Sequence, residues 1–359
     1  MTHGANRPGP ELCTVVDLNY ASRALTLYRS LEETSPGFRL HVLCMEPGVR
    51  TLLDRLELQR TVVHDLETLE ALDRDLRNVK GSRSPVEYCW TVKPVLCRYL
   101  LEQTGLEAVT YVDSDLMFFG DARLVLDELG DGSIMILPHR FPERWAEWGV
   151  TDGIFNGAWF TFRRDGHALD ALRWWRERCL EWCYDRREDG KYADQHYLDD
   201  WPERFAGVHV IGHPGAGLAP WNATLYRLEP GDGAPLVNGQ PAIFYHYQSL
   251  RLVRAPRGFR SLGLQLPGYR LMRQPPFLLW WTAPEYELAD SEVELFWAPY
   301  LRRLVEAMTE LRQADARLKT GIARMEAGEL GLALARRLLP PAVRRRLRKA
   351  WLALRGEDG

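Results

Sequence analysis

Nowhere in the 359 residues does an apolar run approach the roughly 18 residues that a membrane-spanning helix needs. The first residues, MTHGANRPGPE, have no apolar core and do not read as a signal peptide. Cysteine is sparse: Cys13, Cys44, Cys89, Cys97, Cys179 and Cys183 are scattered without metal-type spacing. Several fall in apolar stretches, so they read as reduced, mostly buried thiols of a cytoplasmic protein. Cys179 and Cys183 would share a helix face, where core filling is preferred over a metal pair. Internal repeats and low-complexity tracts are missing. So is a G-x-G-x-x-G loop after the first strand, which counts against a dinucleotide-binding oxidoreductase.

What remains is an ordinary soluble composition, 46% hydrophobic and 26% charged. The net charge of −3 is unevenly spread. From Arg336 onward eight basic residues face two acidic ones, so the other 335 residues together carry −9. Thirteen tryptophans and fourteen tyrosines are many for this length, and aromatic faces fill cores or stack on sugars and bases.

The apolar runs Leu12–Leu18, Phe38–Met45 and Thr61–Leu66 read as strands. Helical patterns at 22–31, 48–56 and 67–76 separate them. Strand and helix alternating in this way predict a parallel sheet with helices on its faces, binding ligands beyond the carboxyl ends of its strands. Ser84-Pro85-Val86-Glu87 is a capping box that opens a helix to about Leu101, with Pro94 predicting a break or a second start. Val109–Val112 is a fourth strand. Further strands are expected at 133–138, 155–162, 208–211 and 242–247, a long helix at 166–184, and a short one opened by Ala193-Asp194-Gln195-His196. The division expected is a main domain over 1–250, an irregular Pro/Gly/aromatic connection over 251–291, and a helical, basic region over 292–359.

At the end of the fourth strand stands YVDSDLMFF. Strand residues two apart point the same way, so Asp113 and Asp115 can converge on one point. Such a point suits a divalent cation carrying phosphate oxygens. An isolated pair of this kind is also common in surface turns.

Five stretches in order make the chain recognisable: TVVDLNYASRALTLYRSL, EYCWTVKPVLCRYLL, YVDSDLMFF, FNGAWFTFRRD with ADQHYLDDW, and HPGAGLAPWN followed by FYHYQS. Over residues 12–250 the chain resembles the GT-A class of nucleotide-sugar glycosyltransferases. The likeness is nearest to the retaining family of glycogenin and the lipopolysaccharide galactosyl- and glucosyltransferases. The resemblance implies an α/β fold with a Rossmann-like, mixed and mainly parallel sheet. It implies a hexosyltransferase in which Asp113 and Asp115 hold Mn²⁺ or Mg²⁺ with His246, His213 being the runner-up third ligand. The family's His-x-x-Gly-x-x-Lys-Pro-Trp string is replaced here by His213-Pro214-Gly215-Ala216-Gly217-Leu218-Ala219-Pro220-Trp221, which lacks the lysine. By the same resemblance Asp17, Asn19 and Tyr20 face the nucleotide. Lys93 and Ser114 join Asp113 in binding the donor, while Asn156 and Gly157 line the sugar pocket. Asp194 and Gln195 are the catalytic pair, with no protein nucleophile assigned. For Asn19, Tyr20, Lys93, Asn156, Asp194 and His246, structural roles such as helix capping, turns and core packing stay open beside these.

The function expected is transfer of a sugar from a nucleoside diphosphate, UDP foremost, to a glycan or lipid-linked acceptor, with retention, in surface polysaccharide synthesis. An inverting relative would need a carboxylate base such as Asp152 or Glu143. An inactive carbohydrate- or nucleotide-binding protein on the same fold is an alternative. A phosphatase using Asp-x-Asp is another, but it would carry the pair on its first strand. The location expected is cytoplasmic. The basic segment ARRLLPPAVRRRLRKAWLALRG could lie on an anionic inner membrane face, bind a partner, or pack as a solvated helix. No specific nucleic-acid binding is expected.

Overall fold

The computed structural model describes residues 9–254, 269–271, 278–281, 286, 288–318 and 322–324. The expected alternation opens the chain: β1 (Glu11–Val16), α1 (Ala21–Thr34), β2 (Arg39–Cys44), α2 (Pro47–Leu56) and β3 (Thr61–Asp65). The helix expected at 67–76 is two, α3 (Leu66–Leu72) and α4 (Arg74–Val79). The Asp73 carboxylate, accepting from the Leu76 N–H, starts the second and so divides them.

α5 (Pro85–Gln103) begins with the capping box of Ser84 and Glu87. It runs unbroken through Pro94, against the predicted break. A proline in a helix interior costs about 3 kcal/mol. Here every residue from Thr91 to Cys97 is buried, with Tyr88, Leu100 and Leu101, and that packing outweighs the cost.

β4 (Ala108–Val112), β5 (Leu116–Phe118), β6 (Ile134–Pro138), β7 (Phe155–Arg163), β8 (Val208–Val210) and β9 (Ala216–Leu218) follow. Seven strands form one sheet in the order β3-β2-β1-β4-β7-β6-β8. β3, β2, β1 and β4 are mutually parallel, β7 is antiparallel to both β4 and β6, and β8 is parallel to β6. Alternate residues supply the two faces. Leu12 and Val16 enter one core, Cys13 and Val15 the other, as a sheet covered on both sides requires. All six cysteines are free, and five are buried. The short helix expected from Asp194 is a single turn, His196–Leu198.

After the small sheet of β10 (Leu228–Glu229), β11 (Leu236–Val237) and β12 (Gln240–Pro241) comes β13 (Phe244–His246). It pairs antiparallel with β5 and parallel with β9. His246 stands opposite Leu116, the residue after Asp115. That pairing closes the site.

The compact units divide differently from the expected domains. One unit comprises Met1–His246 with Leu288–Thr320, the other Tyr247–Glu287 with Gly321–Gly359. The helix Ala298–Ala314 belongs to the first because Ala307 and Leu311 enter the same core as Leu25 and Tyr28 of α1. The second unit contains a four-stranded sheet of Arg251–Arg254, Tyr269–Leu271, Leu278–Trp281 and Ile322–Arg324. The stretch 251–291 is thus not wholly irregular. Its strands of three or four residues are too short to show an alternating period. The basic segment from Arg336 lies outside the described residues. Among the described residues no helix is long and apolar enough to cross a membrane.

Candidate active site

Asp113 is the first residue beyond β4, where its N–H donates to the Ala158 carbonyl of β7 at 3.1 Å. A tight turn, closed by Leu116 N–H to the Asp113 carbonyl, swings Asp115 onto the start of β5. β13 brings in His246 from the other side. Ligand atoms of Asp113, Asp115 and His246 all lie within 4.8 Å of one another, and the latter two residues are buried. His246 Nε2 is 3.3 Å from Asp115 Oδ1 and 4.0 Å from Asp113 Oδ2. Two hard oxygen donors and one imidazole nitrogen, converging out of water, suit a divalent cation. His246 Nδ1 is buried with no hydrogen-bond partner among the described residues, so nothing there pins the ring to a purely structural role.

His213 is not part of this group. Its Nδ1 accepts from the Gly215 N–H at 3.0 Å, and its own N–H donates to Glu128. That makes it a turn residue and leaves His246 as the third member. Asp17 likewise has a local task. Its carboxylate accepts from the Tyr20 N–H at 2.8 Å and from Asn19 Nδ2 at 3.3 Å, setting the entry to α1. The Tyr20 ring stays 40% exposed at the site's edge. Its hydroxyl is pushed up to about 12 by partial burial and then by the Asp115 charge. Ser114 is buried between the two aspartates.

Lys93, central in α5 and buried, binds three groups at once. Its ammonium donates to the Gly157 carbonyl at 2.9 Å and pairs with Asp113 at 3.2 Å and Asp194 at 3.1 Å. The Tyr111 ring lies beneath it, 5.0 Å to the centroid, and the Tyr111 hydroxyl donates to Asp113 Oδ1 at 2.8 Å. Burial alone would lower the Lys93 pKa, but Asp113 and Asp194 outweigh it and raise it. Burial pushes the Asp194 carboxyl up, Lys93 opposes this, and Asp113 adds to it. Asp115 goes the other way. Burial is again the largest influence, yet His246 and then Arg23 together hold its carboxyl below the ordinary range. A methyl group at Gly157 would stand 3.4 Å from both Lys93 Nζ and Asp194 Oδ1, so the bare backbone leaves room for the pair.

Asp194 follows Ala193, whose φ of 49° is left-handed, and the Asp194 carbonyl accepts from Trp175 Nε1 at 2.9 Å. The Gln195 amide is used at both ends. Its Oε1 accepts from the Gly157 N–H at 3.3 Å and its Nε2 donates to the Asp152 carbonyl at 2.8 Å. Asn156 is equally fixed. Its Oδ1 accepts from Ala158 N–H, and its Nδ2 donates to His139 Nε2, both at 2.9 Å. His139 accepts there because its Nδ1–H goes to the Gly153 carbonyl. Burial lowers its pKa to about 3, so the ring is neutral.

Among the proteins compared with this chain, YfnF of Bacillus subtilis (strain 168) is 32% identical over 250 residues, 67% of this chain and 82% of that protein. The chain belongs to the YfnF family. A second member, YfnD of the same organism, is 28% identical over 305 residues, 84% of this chain and 90% of that one. Both relatives are described as uncharacterized. No protein-family profile matches. Among solved structures, galactosyltransferase LgtC with donor and acceptor sugar analogues shares 18% identity at a TM-score of 0.44, covering 66% of this chain and 87% of that one. Mouse xyloside xylosyltransferase 1 shares 15% at 0.44, covering 68% and 98%. These likenesses are distant, and the functional reading rests on the residues of the site.

Lys93, Asp113, Ser114, Asp115, Asn156, Gly157, Asp194 and His246 thus gather at one sheet edge, with Gln195 beside them and Asp17, Asn19 and Tyr20 where β1 leads into α1. Sequence reasoning missed His139, Tyr111, Arg23 and Tyr300. Tyr300, on the helix Ala298–Ala314, is fully buried. Its raised pKa comes first from burial and is modulated by Arg23 and Asp115. Of these, Arg23 alone had a signal, a charged residue among the apolar positions of the helical pattern at 22–31.

Proposed function

We propose that this protein is a metal-dependent glycosyltransferase. It would move a hexose from a UDP-sugar to a glycan or lipid-linked acceptor, with retention. The observation that carries this is the joining of two groups by one cation: the Asp113–Asp115–His246 cluster and the buried Asp194, bridged by Lys93. Asp113, Asp115 and Asp194 against the buried ammonium of Lys93 leave the cluster net negative, which matches a dication. Asp113, Asp115 and His246 would hold Mn²⁺ or Mg²⁺, which when bound supplies a Lewis acid for the departing diphosphate.

The chain's own groups supply the rest. Lys93 neutralises phosphate charge as the bond from the sugar to the diphosphate breaks. Asp194, on the other side of Lys93, faces the developing positive charge on the sugar. Gln195 and Asn156, each held at both ends, give the sugar pocket a rigid wall. The acceptor oxygen forms the new bond on the face the diphosphate leaves, and its proton departs with the diphosphate. Of the carboxylates considered as an inverting base, Asp152 is already clasped by Arg187 through Nε and Nη2. That counts against Asp152 as an inverting base. A phosphatase with an Asp nucleophile fits poorly, because Asp113 is tied to Lys93 and Tyr111 at the end of a central strand. A cytoplasmic setting is read from the six free cysteines, and the charge pattern of the segment from Arg336 would suit an anionic membrane face.

The test is release of nucleoside diphosphate from a panel of nucleotide sugars with Mn²⁺, without acceptor. At least one UDP-sugar should be hydrolysed, and Asp194→Asn should slow this about 100-fold. A wild-type protein that hydrolyses none of the panel contradicts the reading.

A further inference from the structure

Gln195 is placed by two backbone groups that fix which way its amide faces. The Gly157 N–H can only donate and the Asp152 carbonyl can only accept, so Oε1 meets the first at 3.3 Å and Nε2 the second at 2.8 Å. The Gly157 carbonyl in turn accepts from Lys93 at 2.9 Å, and Lys93 pairs with Asp113 at 3.2 Å. One end of the amide is thus tied to the charge network and the other to Asp152.

Asp152 ends the helix Ala146–Thr151, where its N–H donates to the Trp148 carbonyl at 2.7 Å. Its carboxylate is 16% exposed and is held at both oxygens by Arg187, Nε on Oδ1 and Nη2 on Oδ2, the latter at 2.9 Å. Arg187 comes from the loop 185–192. The neck of that loop is closed by the Ala193 N–H donating to the Tyr184 carbonyl at 3.2 Å, immediately before Asp194. Inside it, Glu188 and Lys191 exchange both backbone bonds around Asp189 and Gly190, whose φ values of 50° and 69° are those of the two-residue turn that Asp-Gly favours. The Tyr192 ring lies 5.2 Å from the Arg187 guanidinium. Asp152 therefore holds the loop through its carboxylate and Gln195 through its carbonyl.

We propose that Arg187 is a positioning residue for the Asp194–Gln195 pair. Its fork on Asp152 latches the loop 185–192 to the segment that carries Asn156 and Gly157, and so keeps the pair aligned for sugar transfer. This rests on the proposed transferase reading. A single exposed ion pair is worth little, but a two-pronged guanidinium–carboxylate contact also fixes direction. Arg187 acts through Asp152, so its loss falls on the rate and not on nucleotide binding.

The test measures kcat for hydrolysis of a UDP-sugar from the panel, and UDP affinity with Mn²⁺, in wild type, Arg187→Met, Arg187→Lys and Asp152→Asn. Arg187→Met should lower kcat about 10-fold while UDP affinity stays within about twofold. Arg187→Lys should recover part of the rate, because an ammonium meets the carboxylate at one point where the fork meets it at two. Asp152→Asn, which keeps the carbonyl, should reproduce the loss, and the double variant should lose no more than either single one. Retained UDP binding shows that a variant is folded, and Arg187→Gln carries the comparison should Arg187→Met not fold. An unchanged kcat in Arg187→Met or Asp152→Asn would mean that Gln195 is held without the latch. A loss of UDP affinity matching the loss of rate would mean that Arg187 serves the nucleotide or the fold as a whole. Either overturns the inference and leaves the transferase reading standing. A wild type that hydrolyses no nucleotide sugar overturns both.

Discussion

The Asp113 and Asp115 flanks of the cluster are built differently. Around Asp113 the contacts are many and local to the main sheet: Lys93 from α5, Tyr111 from β4, and the backbone of β7. Around Asp115 the partner comes from far along the chain: His246 of β13 lies 3.3 Å away, and Arg23 of α1 acts on the carboxylate through its charge. The first flank is a fixed charge network that the fold needs even without ligand. The second depends on a short second sheet, in which β13 pairs with β5 and sets His246 beside Asp115. The difference shows in the carboxyls. Burial and Asp113 hold Asp194 up despite Lys93, whereas His246 and Arg23 hold Asp115 down despite burial. Two acids, one in the candidate metal cluster and one paired with Lys93, are thereby set for different tasks.

The comparison is broken most strongly at Lys93. Lys93→Met leaves Asp194 buried without its cation and should cost about 3–5 kcal/mol in denaturant melts. Wild-type stability in that variant would remove the charge network from the account. Acid comes next. The His139 pKa is lowered to about 3 by burial, so the neutral ring's contribution is complete above the unfolded value of about 6.5 and is lost as pH falls toward 3. By pH 5 this amounts to about 2 kcal/mol. His139→Gln should flatten the fall in melting temperature between pH 7 and 5, and an unchanged slope would assign the acid sensitivity elsewhere. Smaller still is Tyr111→Phe, which removes one hydrogen bond to a partly exposed carboxylate. It should cost about 1 kcal/mol in the same melts, with the metal site kept.

Much of the first flank was legible in the sequence because its parts are local. Asp113 directly follows an obvious strand, and the capping box of Ser84 announces the helix that carries Lys93. The second flank was legible only by resemblance, in the case of His246, or not at all. Pairing of Leu116 with His246 spans 130 residues and leaves no periodic trace. Packing of the helix Ala298–Ala314 on α1 likewise made residues past 292 part of the main unit, although composition set them apart. Pro94 misled because a local rule was overridden by the burial of the turns around it, Thr91 to Cys97. The fixed amides of Asn156 and Gln195 depend on His139 and the Asp152 carbonyl, neither of which any short motif marks.

The most direct test of the central claim is calorimetry of UDP with and without Mn²⁺ on wild type and Asp115→Ala. The account predicts UDP binding that requires the metal in the wild type and falls at least about 100-fold in Asp115→Ala, with folding intact. UDP binding that ignores Mn²⁺, or that survives in Asp115→Ala, would contradict it.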